Sequence, residues 1–113
     1  MGKLKQYKAA ILSIIEEHAL NKPVNLEDVD NQIITDEERG HYQLVSLGWE
    51  GRAFSYAVIY HFDIKPDGKV WIQANNTDID VAEELMQKGV AREDIVVGFQ
   101  HPAYRPYTGY AVA

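Results

Sequence analysis

Three features predict an α+β domain: an amphipathic helical stripe at the amino end, four strand patterns joined by tight turns, and a short second helix leading into an apolar strand. Consecutive hairpins give an antiparallel-rich sheet, and amphipathic helices bury their apolar stripes on one face of it. At 113 residues the chain makes one domain, residues 1–113.

Leu4, Tyr7, Ile11, Ile14, Ile15 and His18 recur at three- and four-residue steps, and Leu12 widens the stripe. This spacing predicts a helix from about Lys3 to Leu20. Asn21 and Pro23 end it, because proline lacks a backbone donor and restricts the residue before it. His18 reads as a partly buried histidine hydrogen-bonded at the helix end. Val24 to Glu27 connects to a first strand over Asp28 to Thr35. A charged turn, Asp36 to Gly40, leads to a second strand from His41 to Trp49.

Glu50-Gly51 signals a hairpin. A third strand follows from Arg52 to Lys65. Its large residues Phe54, Tyr56, Val58, Tyr60, Phe62 and Ile64 alternate without a break, which assigns them to one face. Ala53, Ser55, Ala57, Ile59, His61 and Asp63 fall on the other. The strand exceeds the usual length, so it is expected to bend at a bulge or overhang its neighbours. Pro66-Asp67-Gly68 is a turn, and Lys69 to Ala74 a fourth strand.

Asn76 or Thr77 is the expected cap of the second helix, with Ile79, Ala82, Leu85 and Met86 as its buried stripe and Gly89 as its stop. Ile95 to Phe99 reads as a fifth strand, and Tyr107 to Ala111 as a last short one. The extended aromatic tail stays apolar to Ala113, so it must lie on its own sheet or on a partner.

Composition narrows the function. There is no cysteine, which excludes disulfides and thiolate metal sites. No apolar stretch approaches the ~20 residues of a membrane span, and the amino end lacks a signal-peptide core, so a cytoplasmic protein with no membrane partner is expected. The net charge is −6, with 11 basic residues against 17 acidic ones. That balance disfavours tight DNA binding by this chain alone and suits a basic protein partner.

Candidate chemistry is sparse. His61 and Asp63, two apart on one strand, begin a metal site if His41 or His101 joins them, but the spacing is common and identifies no third ligand. A solvated sheet face with a His–Asp contact is the simpler reading. Asp36, Glu37 and Glu38 beside Arg39 read as a solvated turn rather than an acid–base pair. Serines 13, 46 and 55 lack a nucleophile-elbow pattern, and no phosphate-binding glycine loop is present. No catalytic residue, metal or cofactor is therefore expected.

Seven tyrosines, three phenylalanines and two tryptophans are many for a small acidic domain. Trp71 and Phe62 read as core. Phe99, Tyr104, Arg105, Tyr107 and Tyr110 suit either the core or an association surface, since Tyr, Trp and Arg commonly anchor interfaces; they are the candidate partner-binding residues.

Several segments in series, Arg39-Gly40-His41-Tyr42-Gln43-Leu44-Val45, Gly48-Trp49, His61-Phe62-Asp63-Ile64-Lys65, Lys69-Val70-Trp71-Ile72-Gln73, Asn76-Thr77, Asp94-Ile95-Val96-Val97-Gly98-Phe99 and Tyr107-Thr108-Gly109-Tyr110-Ala111-Val112, resemble the XisI family of fdxN-element excision controlling factors. The likeness runs through nearly the whole chain. It departs at Gly40, where an acid is usual, at Val70 and Val97 for other aliphatics, and at Tyr110 for phenylalanine. The Gly40 change is expected to loosen the turn before the second strand.

The resemblance implies a small non-enzymatic regulatory protein. It would act beside a nuclease-like partner, XisH, in site-specific excision of a DNA element, possess no assigned catalytic residues and reach nucleic acid only indirectly. Many copies per genome in such families suit an antitoxin-like restraint of the partner. A homo-oligomer is also expected, because a long third strand leaves an edge that proteins usually cover. The alternatives are a metal-dependent hydrolase using His61, Asp63 and His41, and a factor that binds DNA directly through the third strand and Arg52.

Overall fold

The computed structural model describes residues 2–20 and 28–113. The predicted stop at Asn21 and Pro23 and the connector from Val24 to Glu27 lie outside the described residues. Helix α1 spans Gly2–Ala19 and buries Tyr7, Ala10, Ile11, Ile14 and Ile15. Leu4, at the start of the expected stripe, stays half exposed. His18 does close the helix as expected, with Nε2 3.2 Å from Glu84 and its ring edge-on to Tyr60. The Asn31 amide donates to the Ala19 carbonyl, at the helix end, at 3.1 Å.

Strands β1 (Val29–Asp36), β2 (His41–Glu50), β3 (Ala53–Ile64) and β4 (Val70–Asn75) form an antiparallel meander in chain order, and β5 (Ile95–Val97) joins β4 in parallel. Glu50 pairs with Ala53, so the loop is Gly51-Arg52, one residue later than read from the sequence, and Gly51 has the positive φ such a turn requires. The Pro66-Asp67-Gly68 turn closes through Gly68 N–H donating to Lys65 O.

One expectation fails in an informative way. The alternation along β3 predicts one face for all its large residues, but the pairing with β2 steps from Val45↔Val58 to Leu44↔Tyr60. Ile59 is the extra residue of a bulge, and it reverses the strand's sidedness. Tyr60, Phe62 and Ile64 face the helices and are buried. Phe54, Tyr56 and Val58 turn to the opposite, outer face, where Phe54 and Tyr56 are exposed. Asn76 seals the bulge: its N–H donates to Ile59 O and its amide to Val58 O, at 2.9 and 2.6 Å. Beyond that point β3 overhangs β4.

The second helix is shorter than predicted. Asn75, Thr77 and Ile79 instead form a hydrogen-bonded turn, with the Asn75 carbonyl oxygen accepting from Thr77 and the Thr77 hydroxyl accepting from Ile79 N–H. Asp80, not Asn76 or Thr77, caps helix α2 (Val81–Gln87), accepting from Glu83 N–H. Val81, Ala82 and Leu85 are its buried residues. Ile79 is part-exposed, and Met86 packs at the rim.

Tyr7, Tyr42, Leu44, Tyr60, Phe62, Ile72, Leu85 and Ile95 belong to one core cluster between the sheet and the helices. Tyr7 also carries a polar tie across the fold. Its hydroxyl donates to Asp94 Oδ2 at 2.6 Å and accepts from Ala91 N–H, while Lys3 Nζ reaches the same carboxylate oxygen at 2.8 Å.

Two glycines are required by their surroundings. Gly40 (φ 77) closes the β1–β2 turn where a Cβ would meet the Ile64 carbonyl, so glycine fits this turn rather than loosening it. Gly48 (φ 148) lies against the Asp28–Val29 backbone with no room for a Cβ. Gly48→Ala is expected to cost on the order of 1–3 kcal/mol in a denaturant melt; unchanged stability would contradict this packing.

Hydrogen bonds from Lys3 and Tyr7 hold the Asp94 carboxyl below the usual carboxylate range. A depressed folded-state pKa stabilises the fold above the ordinary value of about 4 and loses that contribution as pH falls through the folded value. Asp94→Asn should therefore be less stable than the parent at pH 7, with the gap narrowing below about pH 4. Melts across pH test this, and a constant gap would count against it.

Candidate functional site

The helices cover one side of the sheet. On the other side, register places His41, Gln43, Val45, Leu47 and Trp49 of β2 on one face, opposite Asp63, His61, Val58, Tyr56 and Phe54 of β3, with Trp71 of β4 opposite Asp63. This outer face has an apolar end and a polar end.

At the apolar end, next to the Gly51-Arg52 loop, Trp49 and Phe54 meet edge to face at 5.2 Å between ring centroids. Trp49, Phe54 and Tyr56 are 53%, 54% and 67% exposed. Side-chain hydrophobicity did not mark them as a surface; alternation along β2 puts Trp49 there, and the bulge at Ile59 puts Phe54 and Tyr56 there.

At the polar end, Asp63 Oδ1 lies 2.7 Å from His41 Nδ1 and 2.9 Å from His61 Nε2, and the Gln73 amide donates to Oδ2 at 3.2 Å. Gln43 Nε2 lies 3.2 Å from His61 Nδ1. Partial burial works to raise the Asp63 carboxyl, but the hydrogen bonds from His41, His61 and Gln73 outweigh it and hold the group below its ordinary value. The structure thus unites the His61–Asp63 pair with His41. His101 instead accepts from Ala103 N–H and starts a 3-10 segment.

Trp71 carries two cations, Lys65 Nζ at 4.0 Å and Arg105 Cζ at 4.9 Å from its ring centroid. Arg105 also donates to the carbonyls of Gly98 and Gln100, at 3.2 and 3.1 Å. It pins the tail to the body. The tail is not the strand expected over Tyr107 to Ala111: prolines 102 and 106 sit in a 3-10 segment, Pro102–Tyr107, and a single parallel bridge joins Ala111 to Val96. Strand β5 correspondingly stops at Val97 rather than Phe99. Ala111 N–H donates to Ile95 O at 2.8 Å, and Arg92 reaches Gly109 O and stacks on Tyr110.

The five tail candidates therefore divide. Arg105 and Tyr110 hold the tail against its own domain. Phe99, Tyr104 and Tyr107 present exposed rings. Elsewhere, on the helix side, a hollow of about 470 Å³ beneath the start of α1 mixes Lys3, Lys8, Arg39 and Lys65 with Glu37, Glu38 and Asp67. It includes Tyr42, whose buried hydroxyl has no partner among the described residues. Among the described residues no helix is long and apolar enough to cross a membrane.

A mixed five-stranded sheet with two helices on one side and a pinned aromatic tail defines an α+β domain of a specific type. The chain belongs to the XisI family: the family model for the XisI protein matches residues 1–112. It is similar to a XisI-like protein from Anabaena variabilis ATCC 29413, with 46% identity over 97% of this chain and 99% of that one, at a TM-score of 0.89. It is also similar to the fdxN element excision controlling factor XisI from the same organism, with 31% identity, 98% and 99% coverage and a TM-score of 0.81. No curated protein matches.

Arg105→Ala should loosen the tail without unfolding the domain, because it removes the Trp71 contact and two charge-assisted hydrogen bonds. Hydrogen exchange of the Ala111 amide is expected to accelerate at least about tenfold, the equivalent of 1.4 kcal/mol. Unchanged protection would show that Arg105 does not hold the tail.

Proposed function

We propose that this chain is a non-enzymatic accessory protein that acts with a nuclease-like XisH-type partner in the control of site-specific DNA excision, restraining that partner as an antitoxin does. Family membership and the name of the 31%-identical structure, an fdxN element excision controlling factor, support the regulatory reading. The observation that carries the mode of action is the uncovered outer face, where Trp49, Phe54 and Tyr56 stand exposed on a rigid sheet. Large rings of low conformational entropy on a preformed surface make strong interface anchors.

Charge completes the reading. A body of net charge −6 attracts a basic, nucleic-acid-binding partner and competes with DNA for it, so nucleic acid is reached through the partner. Phe99, Tyr104 and Tyr107 extend the contact from the tail, while Arg105 and Tyr110 keep the tail in position. Self-association is part of the same reading: β3 overhangs β4 from Ala53 to Ile59, and the outer edge of β1 has no strand beside it among the described residues.

Co-expression with an XisH-type partner tests the reading. Trp49→Ser combined with Tyr56→Ser should weaken the complex by at least about 30-fold, since truncating an anchor typically removes 2 kcal/mol or more. Tyr104→Ser with Tyr107→Ser should weaken it less. Retained affinity in both double variants, with the fold intact by circular dichroism, would sink the proposal. Turnover of a substrate by this chain alone would equally contradict it.

A further inference from the structure

We propose that His41, His61 and Asp63 form a binding site for one divalent transition-metal ion on the outer face of the sheet. Their donor atoms all lie within 4.8 Å of one another, contributed by two adjacent strands. His41 stands directly across from Asp63 in the β2–β3 register, and His61 precedes Asp63 by two residues on the same face. Backbone pairing, rather than a loop, therefore sets the spacing of all three donors.

The donor set selects the ion. Two imidazoles and one carboxylate suit zinc, cobalt, nickel or copper, whereas calcium and magnesium favour all-oxygen sites. Bonds of about 2.0–2.2 Å would set donors about 3.3 Å apart around a tetrahedral ion. The hydrogen-bonded contacts of 2.7 and 2.9 Å are slightly shorter, so the rings must swing outward by a small amount. His41 has the freedom to do so, because its side chain is 51% exposed. No helix covers this face, so an ion enters from solvent and keeps an open position for water or for a ligand group from another molecule.

The surrounding groups fit a metal as well as the hydrogen-bonded state. A ligating histidine normally donates its second ring N–H to an oxygen, which fixes the tautomer. Gln43 stands at that second nitrogen of His61. With its amide nitrogen toward the ring it donates to Nδ1, and His61 Nε2–H then donates to Asp63. A half-turn of the amide presents its oxygen instead; Nδ1 becomes the donor and Nε2 is freed as a lone pair for the metal. Gln73 holds the second oxygen of Asp63 and so orients the first. Lys65 and Arg105, on the neighbouring Trp71 ring, oppose a dication, which places the affinity with open three-ligand sites rather than closed structural ones.

The test uses tag-free full-length protein, stripped with a chelator, in a Trp49→Phe background that leaves Trp71 as the sole tryptophan. Titration with cobalt(II) should give one equivalent of binding, visible d–d absorption and quenching of Trp71 emission; zinc(II) should compete for the same equivalent by calorimetry. His61→Ala and His41→Ala should each weaken binding at least about tenfold, and Gln43→Ala by a smaller factor. His101→Ala should bind as the parent does. Absence of binding, or His41→Ala and Asp63→Asn variants that are folded and bind with parental affinity, would overturn the site. His41 is exposed, so its variant remains informative even if Asp63→Asn fails to fold.

Discussion

One extra residue governs the molecule's two-sidedness. Without the bulge at Ile59, the unbroken alternation of β3 would send Phe54, Tyr56 and Val58 to the same side as Tyr60, Phe62 and Ile64. The bulge instead supplies two uses from one strand: its carboxyl half fills the core, and its amino half furnishes an outer surface. Asn76 makes the arrangement durable by satisfying the carbonyls of Val58 and Ile59 that leave the ladder.

The tail depends on a different kind of restraint. Its backbone meets the sheet at one bridge, through Ala111, and its position is otherwise set by two arginines. Arg105 stacks on Trp71 and grips two carbonyls; Arg92 stacks on Tyr110 and grips Gly109. Cation–π contacts and charged hydrogen bonds hold a segment that proline prevents from pairing as a regular strand. Sequestering the tail backbone leaves Phe99, Tyr104 and Tyr107 free at the surface. The apolar tail and the exposed tail are thus the same object, with its main chain committed inward and part of its side-chain inventory outward.

Most elements were legible in the sequence because each was announced locally. The α1 stripe followed helical spacing, and Gly51 and Gly68 marked turns by their conformational freedom. Strand boundaries fell within a residue or two. The failures came where a distant partner decided the outcome. The length of β3 announced a bulge or an overhang, but nothing around Ile59 fixed its place, since alternation continues through it and the cause lies in pairing with β2 and Asn76. The α2 cap moved to Asp80 because Asn75 and Thr77 were engaged in a turn of their own. The His61–Asp63 pair was visible at two-residue spacing, but His41 lies 22 residues from Asp63 and joins only through register. Register is set by the whole ladder and leaves no local trace.

The Tyr7–Asp94 tie has a bearing on how the molecule comes into being. It couples the first helix to a carboxylate 87 positions away along the chain, and the apolar stripe of that helix finishes its cover with Leu85 and Ile95. During synthesis the hairpins can assemble early and take up part of the helix's apolar flank, while the polar tie waits until residue 94 has emerged. The clasp between the two ends of the chain is therefore among the last contacts the growing polypeptide can make.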